Sequence, residues 1–283
     1  MIKKYYRLTK PGIIYGNLIS CAAGFLLASV HSLNLPLLSA TLLGTSLVIA
    51  SGCVFNNYFD RDIDKKMART KKRALVIRTI PSRDALIFAS LLLIAGFAIL
   101  SAFTNLLVVV IGTVGFIDYV FLYTFSKRYS VHSTLIGSIS GATPIVAGYC
   151  AAAGQFDTAA ILLWLVMTAW QMPHTYAMAI RRHDDYKAAS VPILPVIKGV
   201  RTAKLHTMAW IVVFIAATSL LTVFGYTGWI YLLVVLTVSL YWFTKGLRFY
   251  SADNTVWGKK MFLTSLVVLL TLSVMLSVGA LLT

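Results

Sequence analysis

Residues 56–70, NNYFDRDIDKKMART, place two amides and three aspartates directly behind almost fifty residues without a fixed charge. If the helix of that apolar run continues through residue 64, Asn56 and Asp60 stand four residues apart, as do Asp60 and Asp64. Asn57, Asp60 and Asp64 then share one face, with Asn56 close by and Asp62 pointing elsewhere. Carboxylate and amide oxygens with no His or Cys among them suit a hard cation, Mg²⁺ before others. That ion takes one or two carboxylates and completes its shell with water and phosphate oxygens. Lys65, Lys66, Arg69, Lys71, Lys72 and Arg73 follow, and supply positive charge for a diphosphate. The competing reading is a solvated loop whose acids pair with its bases. Two features weigh against it. The acids begin at the membrane edge of a span, where charge is costly, and a second acidic patch recurs later in the chain.

That second patch is RRHDDYKAASVPILPVIKG, residues 181–199. Asp184, Asp185, Lys187 and Arg181 or Arg182 are its candidates. An Arg181–Asp185 ion pair one helical turn apart is the bland alternative. Just before it, WQMPHTYA (170–177) sets Pro173 and His174 inside an apolar run. The proline kinks the helix and frees a carbonyl. His174 is either a satisfied polar residue or a functional group, neutral imidazole being the common axial ligand of haem iron. Asp118 stands alone in another run, where it snorkels, pairs with a cation or lines a cavity. Tyr119, Tyr123, Lys127 and Arg128 read first as an interfacial aromatic belt with basic anchors, and second as the lining of a diphosphate mouth.

The elements that must carry these residues follow from composition. The chain has 283 residues, 59% hydrophobic and 12% charged, with a mean hydropathy of +0.82. It is an integral membrane protein whose length counts spans. The net charge of +16 would suggest nucleic acid in a soluble protein. Here it reads as the Lys and Arg that cytoplasmic loops collect, and no nucleic-acid partner is expected. Two spans fit between Lys10 and Asp60, where only His31 can carry charge, with a turn at 31–36. Others fit at 85–103, 106–124, 134–153, 158–180, 205–224, 228–244 and 261–282. That makes an all-α protein of nine transmembrane helices of about twenty residues each.

All 25 Lys and Arg fall in the N-terminal tail or in loops 60–83, 125–133, 181–204 and 245–260. The N-terminus is therefore expected in the cytoplasm and the C-terminus outside. The two acidic loops lie four spans apart, which implies two parallel four-helix repeats plus one helix, in a single domain over 1–283, with a site between the halves. Cys21, Cys53 and Cys150 sit in apolar runs without a C-x-x-C pair and read as small core residues. The start MIKKYYRLTKPG is basic, but the apolar run behind it is long enough to span and lacks a clear cleavage site, so no cleavable signal peptide is expected.

The motif N-N-x-x-D-x-x-x-D resembles the first aspartate motif of the UbiA superfamily of intramembrane prenyltransferases, with Asn57 in place of its usual first Asp. KPGIIYGNLIS (10–20), SGCVFNNYFDRDIDKKM (51–67), YSVHSTLIGSISGATPIVAGYC (129–150), WQMPHTYA and DYKAASVPILPVIKG (185–199) are similar to the branch that farnesylates protohaem IX, in both halves and in the same order. The resemblance implies that farnesyl diphosphate binds through Mg²⁺ to Asn57, Asp60, Asp64 and Asp185. Asp60, Asp64 and Asp185 would then be catalytic. Asn56, Lys65, Arg69, Lys72, Lys127, Arg128, Arg181 and Lys187 are expected around the diphosphate, and His174 against haem b. It further implies an enzyme of the bacterial inner membrane, in contact with lipid, its site facing the cytoplasm, its product passing to a haem A synthase or a terminal oxidase. Two departures bear on this. Ala68 stands where many relatives carry Glu, on a position off the acidic face. Asp184 precedes the Asp185–Tyr186 pair, so either acid can be the metal ligand. WQMPHTYA and Asn57 argue against an aromatic-ring acceptor. Charges at one membrane edge argue against a transporter, whose ion site belongs near the midplane. A haem-carrying scaffold would need His174 but neither Asp60 nor Asp64.

Overall fold

The computed structural model describes residues 1–29 and 32–279; the charge expected on His31 and the end of the last span at 282 lie outside the described residues. A short helix α1 (Ile2–Leu8) leads into α2 (Pro11–Ala28) and α3 (Leu35–Phe59), followed by the short α4 (Arg61–Lys66). Helix α5 (Ser82–Phe103) is followed by α6 (Leu106–Ile117), which passes through a π-helical turn at Asp118–Tyr123 into α7 (Thr124–Ser126). The second half runs α8 (Ser133–Ala153), α9 (Thr158–Arg181), the short α10 (His183–Ala188) and α11 (Leu194–Ile197), then α12 (Val200–Val223), α13 (Trp229–Arg248) and α14 (Asn254–Gly279). Among the described residues there is no strand.

Three of the four short connections without Lys or Arg end in a side chain that caps the next helix, and the fourth ends at Gly228, which has none. Asn34 accepts from the Leu37 amide at 3.0 Å, Asn105 from Val108 at 3.0 Å and Asp157 from Ala160 at 3.1 Å. These caps satisfy donors that lipid would leave bare. The last helix starts earlier than the expected 261. Asp253 accepts from the amides of Thr255 and Val256, so the turns carrying Lys259 and Lys260 are already helical. Among the described residues eight helices, counting Leu106–Ser126 as one, are long and apolar enough to cross a membrane. The expected count was nine. The remaining long helix, α9, carries Gln171, Pro173, His174 and Arg181, which dilute its hydropathy, and it packs in the middle of the bundle.

The halves pack alike. Within the first, α3 lies on α5; within the second, α9 lies on α12; and their leading helices α2 and α8 pack directly together. That contact is backbone on backbone. A Cβ at Gly24 would overlap the Ile145 carbonyl, and one at Gly148 the Cys21 carbonyl. Small residues allow this approach where lipid supplies no hydrophobic drive between helices. Helix α14 closes the bundle against α2, α9 and α13. Leu91, Ile94 and Leu233 are apolar yet 60–70% exposed, as a lipid-facing surface requires.

Candidate active site

Helix α3 ends one residue before Asp60, and α4 begins one residue after it. The hydrogen-bond ladder still crosses the junction, from the Asp60 amide to the Asn56 carbonyl and from the Asp64 amide to the Asp60 carbonyl at 2.7 Å. Asp60 and Asp64 therefore stay on one face, and both are only 4% exposed. Each meets a cation. The Lys127 ammonium donates to Asp60 Oδ2, and Arg73 donates to Asp64 Oδ2 at 2.5 Å and to Asn57 Oδ1 at 3.0 Å. Asp60 Oδ1 is buried and has no hydrogen-bond partner among the described residues. Burial lowers the pKa of Lys127, with Asp60 opposing that shift.

Asp62 faces away, as expected. Arg128 grips it through two bonds, at 2.6 and 2.8 Å, and holds the carboxyl down to about 2. That exposed pair is Coulombically modest, but Arg128 also donates to the Phe59 carbonyl at 2.7 Å and so ties the α7–α8 loop to the end of α3.

The acids open into a cavity of about 710 Å³. Its mouth carries Lys10, Asn56, Asp60, Asp64, Arg73 and Lys127, with Arg69 and Tyr186 beside them. Four cations against two carboxylates give the mouth an excess of positive charge suited to an anion. Lys10 is held there under strain. It has φ 54° directly before Pro11, a left-handed backbone that a β-carbon disfavours and a following proline restricts further. Its ammonium donates to Asn56 Oδ1 at 2.5 Å, and burial pushes it down to about 8. Asn56 donates in turn to Thr124 Oγ1 at 2.9 Å. Deeper in, the walls turn apolar, with Leu100, Val108 and Phe116 on one side and Met167, Trp170 and Phe262 on the other.

His174 lines this interior. Its ring lies between Trp170, centroids 4.6 Å apart at 24°, and Phe262, 4.8 Å apart. Nδ1 is 2.7 Å from Ser265 Oγ.

The two acidic loops meet. Ile63, Met67, Ala189 and Val191 form one apolar cluster with Tyr186 against it, and Asp185 Oδ1 accepts from the Ala68 amide at 2.9 Å. Asp184 is fully exposed beside His183. Of the two neighbouring acids, Asp185 is thus the one turned to the first motif, although it does not line the cavity. Among the other residues singled out, Asn57 is buried behind the mouth, its amide donating to the Leu8 carbonyl at 2.8 Å. Lys65, Lys72 and Lys187 are exposed, and Arg181 is half-buried outside the lining. Asp118 does not snorkel, and among the described residues it pairs with no cation. It is 1% exposed and accepts from the Ser140 amide at 2.9 Å.

Of the mouth residues, Lys10 was not singled out from the sequence and Arg73 was not ranked. Lys10 had a signal, as the last charge before the long uncharged run. Arg73 was legible only as one of six cations in a row. Among the described residues no three His, Cys, Asp or Glu side chains gather into a ready-made metal cage. Two buried carboxylates, one with a bare oxygen, fit an ion that completes its shell from a phosphate ligand and water.

The chain matches the UbiA prenyltransferase family over residues 17–274. It is 53% identical over 280 residues to a protein of Yersinia pseudotuberculosis named protoheme IX farnesyltransferase, covering 98% of this chain and 95% of that one. It is 52% identical, with the same coverage, to a protein of that name from Serratia proteamaculans. In fold it is similar to a digeranylgeranylglyceryl phosphate synthase, with a TM-score of 0.81 at 19% identity over 100% of this chain and 99% of the other. It is also similar to a UbiA homologue from Archaeoglobus fulgidus bound to GPP and Mg²⁺, with a TM-score of 0.76 at 16% identity over 97% and 99%. On sequence and fold alike, this chain is an integral membrane protein that belongs to the UbiA prenyltransferase family.

Proposed function

We propose that this chain transfers the farnesyl group of farnesyl diphosphate to a vinyl group of haem b, with Mg²⁺, giving haem O and diphosphate. One observation carries the reading. A single cavity joins a mouth of buried aspartates and cations to an apolar interior that holds an imidazole. The names of the relatives supply the two substrates. Asp60 and Asp64, with Asp185 and the Asn57 oxygen close behind, would hold the metal, which when bound stabilises charge on the leaving diphosphate.

In the resting site each acid is neutralised by a neighbour, Asp60 by Lys127 and Asp64 by Arg73. Once the acids serve a metal, these two cations, with Lys10 and Arg69, are free to hold the diphosphate oxygens. The apolar interior keeps bulk water from the allylic cation left when the carbon–oxygen bond breaks. The vinyl carbon then bonds to that cation, and water supplies the hydroxyl of the product as a proton leaves. Asn56 keeps Lys10 at the mouth, Arg128 anchors the loop that carries Lys127, and His174 faces the porphyrin. Arg181, Lys187, Lys65 and Lys72 provide the surrounding positive field.

The one-sided Lys and Arg support a reading in which this mouth faces the cytoplasm; on it the chain sits in the bacterial inner membrane, its nine long helices spanning the bilayer with lipid around the bundle. The product would pass to a haem A synthase or a terminal oxidase.

The test is equilibrium binding of farnesyl thiodiphosphate, a slowly reacting donor, with and without Mg²⁺, to the parent chain and to Asp64→Asn. The reading expects tight, Mg²⁺-dependent binding that Asp64→Asn weakens; binding indifferent to both would overturn it.

A further inference from the structure

We infer that His174 Nε2 is the axial ligand that seats the haem iron, and that Ser265 is the positioning residue that fixes its tautomer. The inference rests on the reading of haem as acceptor. Ser265 Oγ lies 2.6 Å from the Phe262 carbonyl oxygen, which can only accept, so the hydroxyl proton points there. Toward His174 the same oxygen is left as an acceptor, at 2.7 Å from Nδ1. Nδ1 therefore carries the ring proton, and Nε2 presents a bare lone pair. Among the described residues Nε2 has no hydrogen-bond partner, and the residue lines the cavity.

The ring cannot swing away. Trp170 and Phe262 clamp its faces, and Trp170 is itself tied to Ser265, its indole N–H donating to the Ser265 carbonyl at 2.8 Å. One residue of α14 thus holds both the imidazole, through its hydroxyl, and the flanking indole, through its carbonyl. A buried histidine with a merely structural role would tie off both nitrogens. A fixed tautomer with one free nitrogen is how proteins prepare imidazole for a metal. His174 stands seven residues inside the Arg181 end of α9, about 10 Å along the helix. Iron seated there lies deeper than the diphosphate mouth, which leaves the porphyrin edge, with its vinyl groups, to reach back toward the reacting carbon. Met167, Met178, Cys53, Tyr119, Tyr123 and Tyr186 also line the cavity and are the rival ligands; neither methionine has a hydrogen-bonded orienting partner.

The test is titration of the purified full-length chain with ferric haem b and with metal-free protoporphyrin IX, read by absorption, electron paramagnetic resonance and resonance Raman spectra. The parent is expected to give an imidazole-ligated ferric spectrum and to bind haem at least tenfold more tightly than the metal-free porphyrin. His174→Gly should lose the ligand signature, and added imidazole should restore it. Ser265→Ala should weaken haem binding about tenfold, the lower range for a group that orients a metal ligand, and Ser265→Thr should recover it, while both bind farnesyl thiodiphosphate as the parent does. A parent spectrum unchanged in His174→Gly, or equal affinity for the two porphyrins, would overturn the ligand assignment and leave the acceptor reading intact. A parent that binds neither porphyrin would overturn both.

Discussion

Lys127→Met is the sharpest perturbation of the site, because it keeps the aliphatic stem and removes the one cation that touches Asp60 among the described residues. The side chains of Lys127 and Asp60 are 13% and 6% exposed, and Asp60 Oδ1 already lacks a partner. The substitution therefore leaves a carboxylate buried with neither oxygen paired. Breaking a buried pair from one side costs about 3–5 kcal/mol, and a mouth open to water puts this case near the lower end, roughly 3 kcal/mol. At about 2–4 °C per kcal/mol for a chain of this size class, Tm should fall by roughly 6–12 °C. Two controls separate this cause from lost packing. Asp60→Asn on top of Lys127→Met should return most of the lost stability, because no bare charge remains. Mg²⁺ should raise the Tm of Lys127→Met more than that of the parent, since in the variant no ammonium competes for Asp60. Turnover should fall on the order of 10²–10³-fold, the effect of removing one preorganised electrostatic group. The assay is thermal unfolding in detergent by intrinsic fluorescence, with Mg²⁺ or EDTA, beside turnover. If Lys127→Met melts with the parent, or if the double variant is less stable than either single one, the buried pair is not what balances the site.

Three further outcomes are expected. Asp60→Asn or Asp64→Asn should abolish turnover with little loss of folded protein in size-exclusion profiles; normal turnover in either would remove the metal assignment. Burial holds Lys10 near 8 in the folded chain against an ordinary 10.5. It therefore loses its charge as pH rises through 8, and KM for the donor should climb between pH 7 and 9. Between about 8 and 10.5 the unfolded chain binds more protons at this site, so folding itself gains from rising pH there, and the rise in KM is not unfolding. Lys10→Arg should flatten the profile, and a parent profile already flat would remove Lys10 from the mouth. On α3 the cavity lining runs from Asn56 to Thr45, eleven residues or about 16 Å. Gly112 lines its far part, where a Cβ would meet Phe97 and Leu100 at ordinary contact distance. Gly112→Leu should thus fold but shorten the space for the tail, shifting preference from the fifteen-carbon to the ten-carbon donor in competition assays; unchanged preference would place the tail elsewhere.

The sequence made the helices legible because lipid forces continuous apolar runs and three of the four connections without Lys or Arg end in Asn or Asp caps. It misplaced the start of α14, since Lys259 and Lys260 read as loop while the Asp253 cap makes them helix. At the mouth, helical spacing placed Asp60 and Asp64 on one face and turned Asp62 away. Spacing could not rank the cations. Lys65, Lys71 and Lys72 project outward while Arg73, in the same run, folds back to Asp64, a choice made by the loop's path. Lys10 arrives from forty-six residues away, and Ser265, which sets the His174 proton, from ninety-one. Such long-range partners leave no local pattern.

The product formed tests haem farnesylation most directly. Purified protein is incubated with haem b, farnesyl diphosphate and Mg²⁺, with an EDTA control, and the porphyrins are separated and weighed by mass spectrometry. A Mg²⁺-dependent haem heavier by one farnesyl and one hydroxyl group is expected. Unmodified haem, with farnesyl diphosphate intact and Mg²⁺ present, would contradict it.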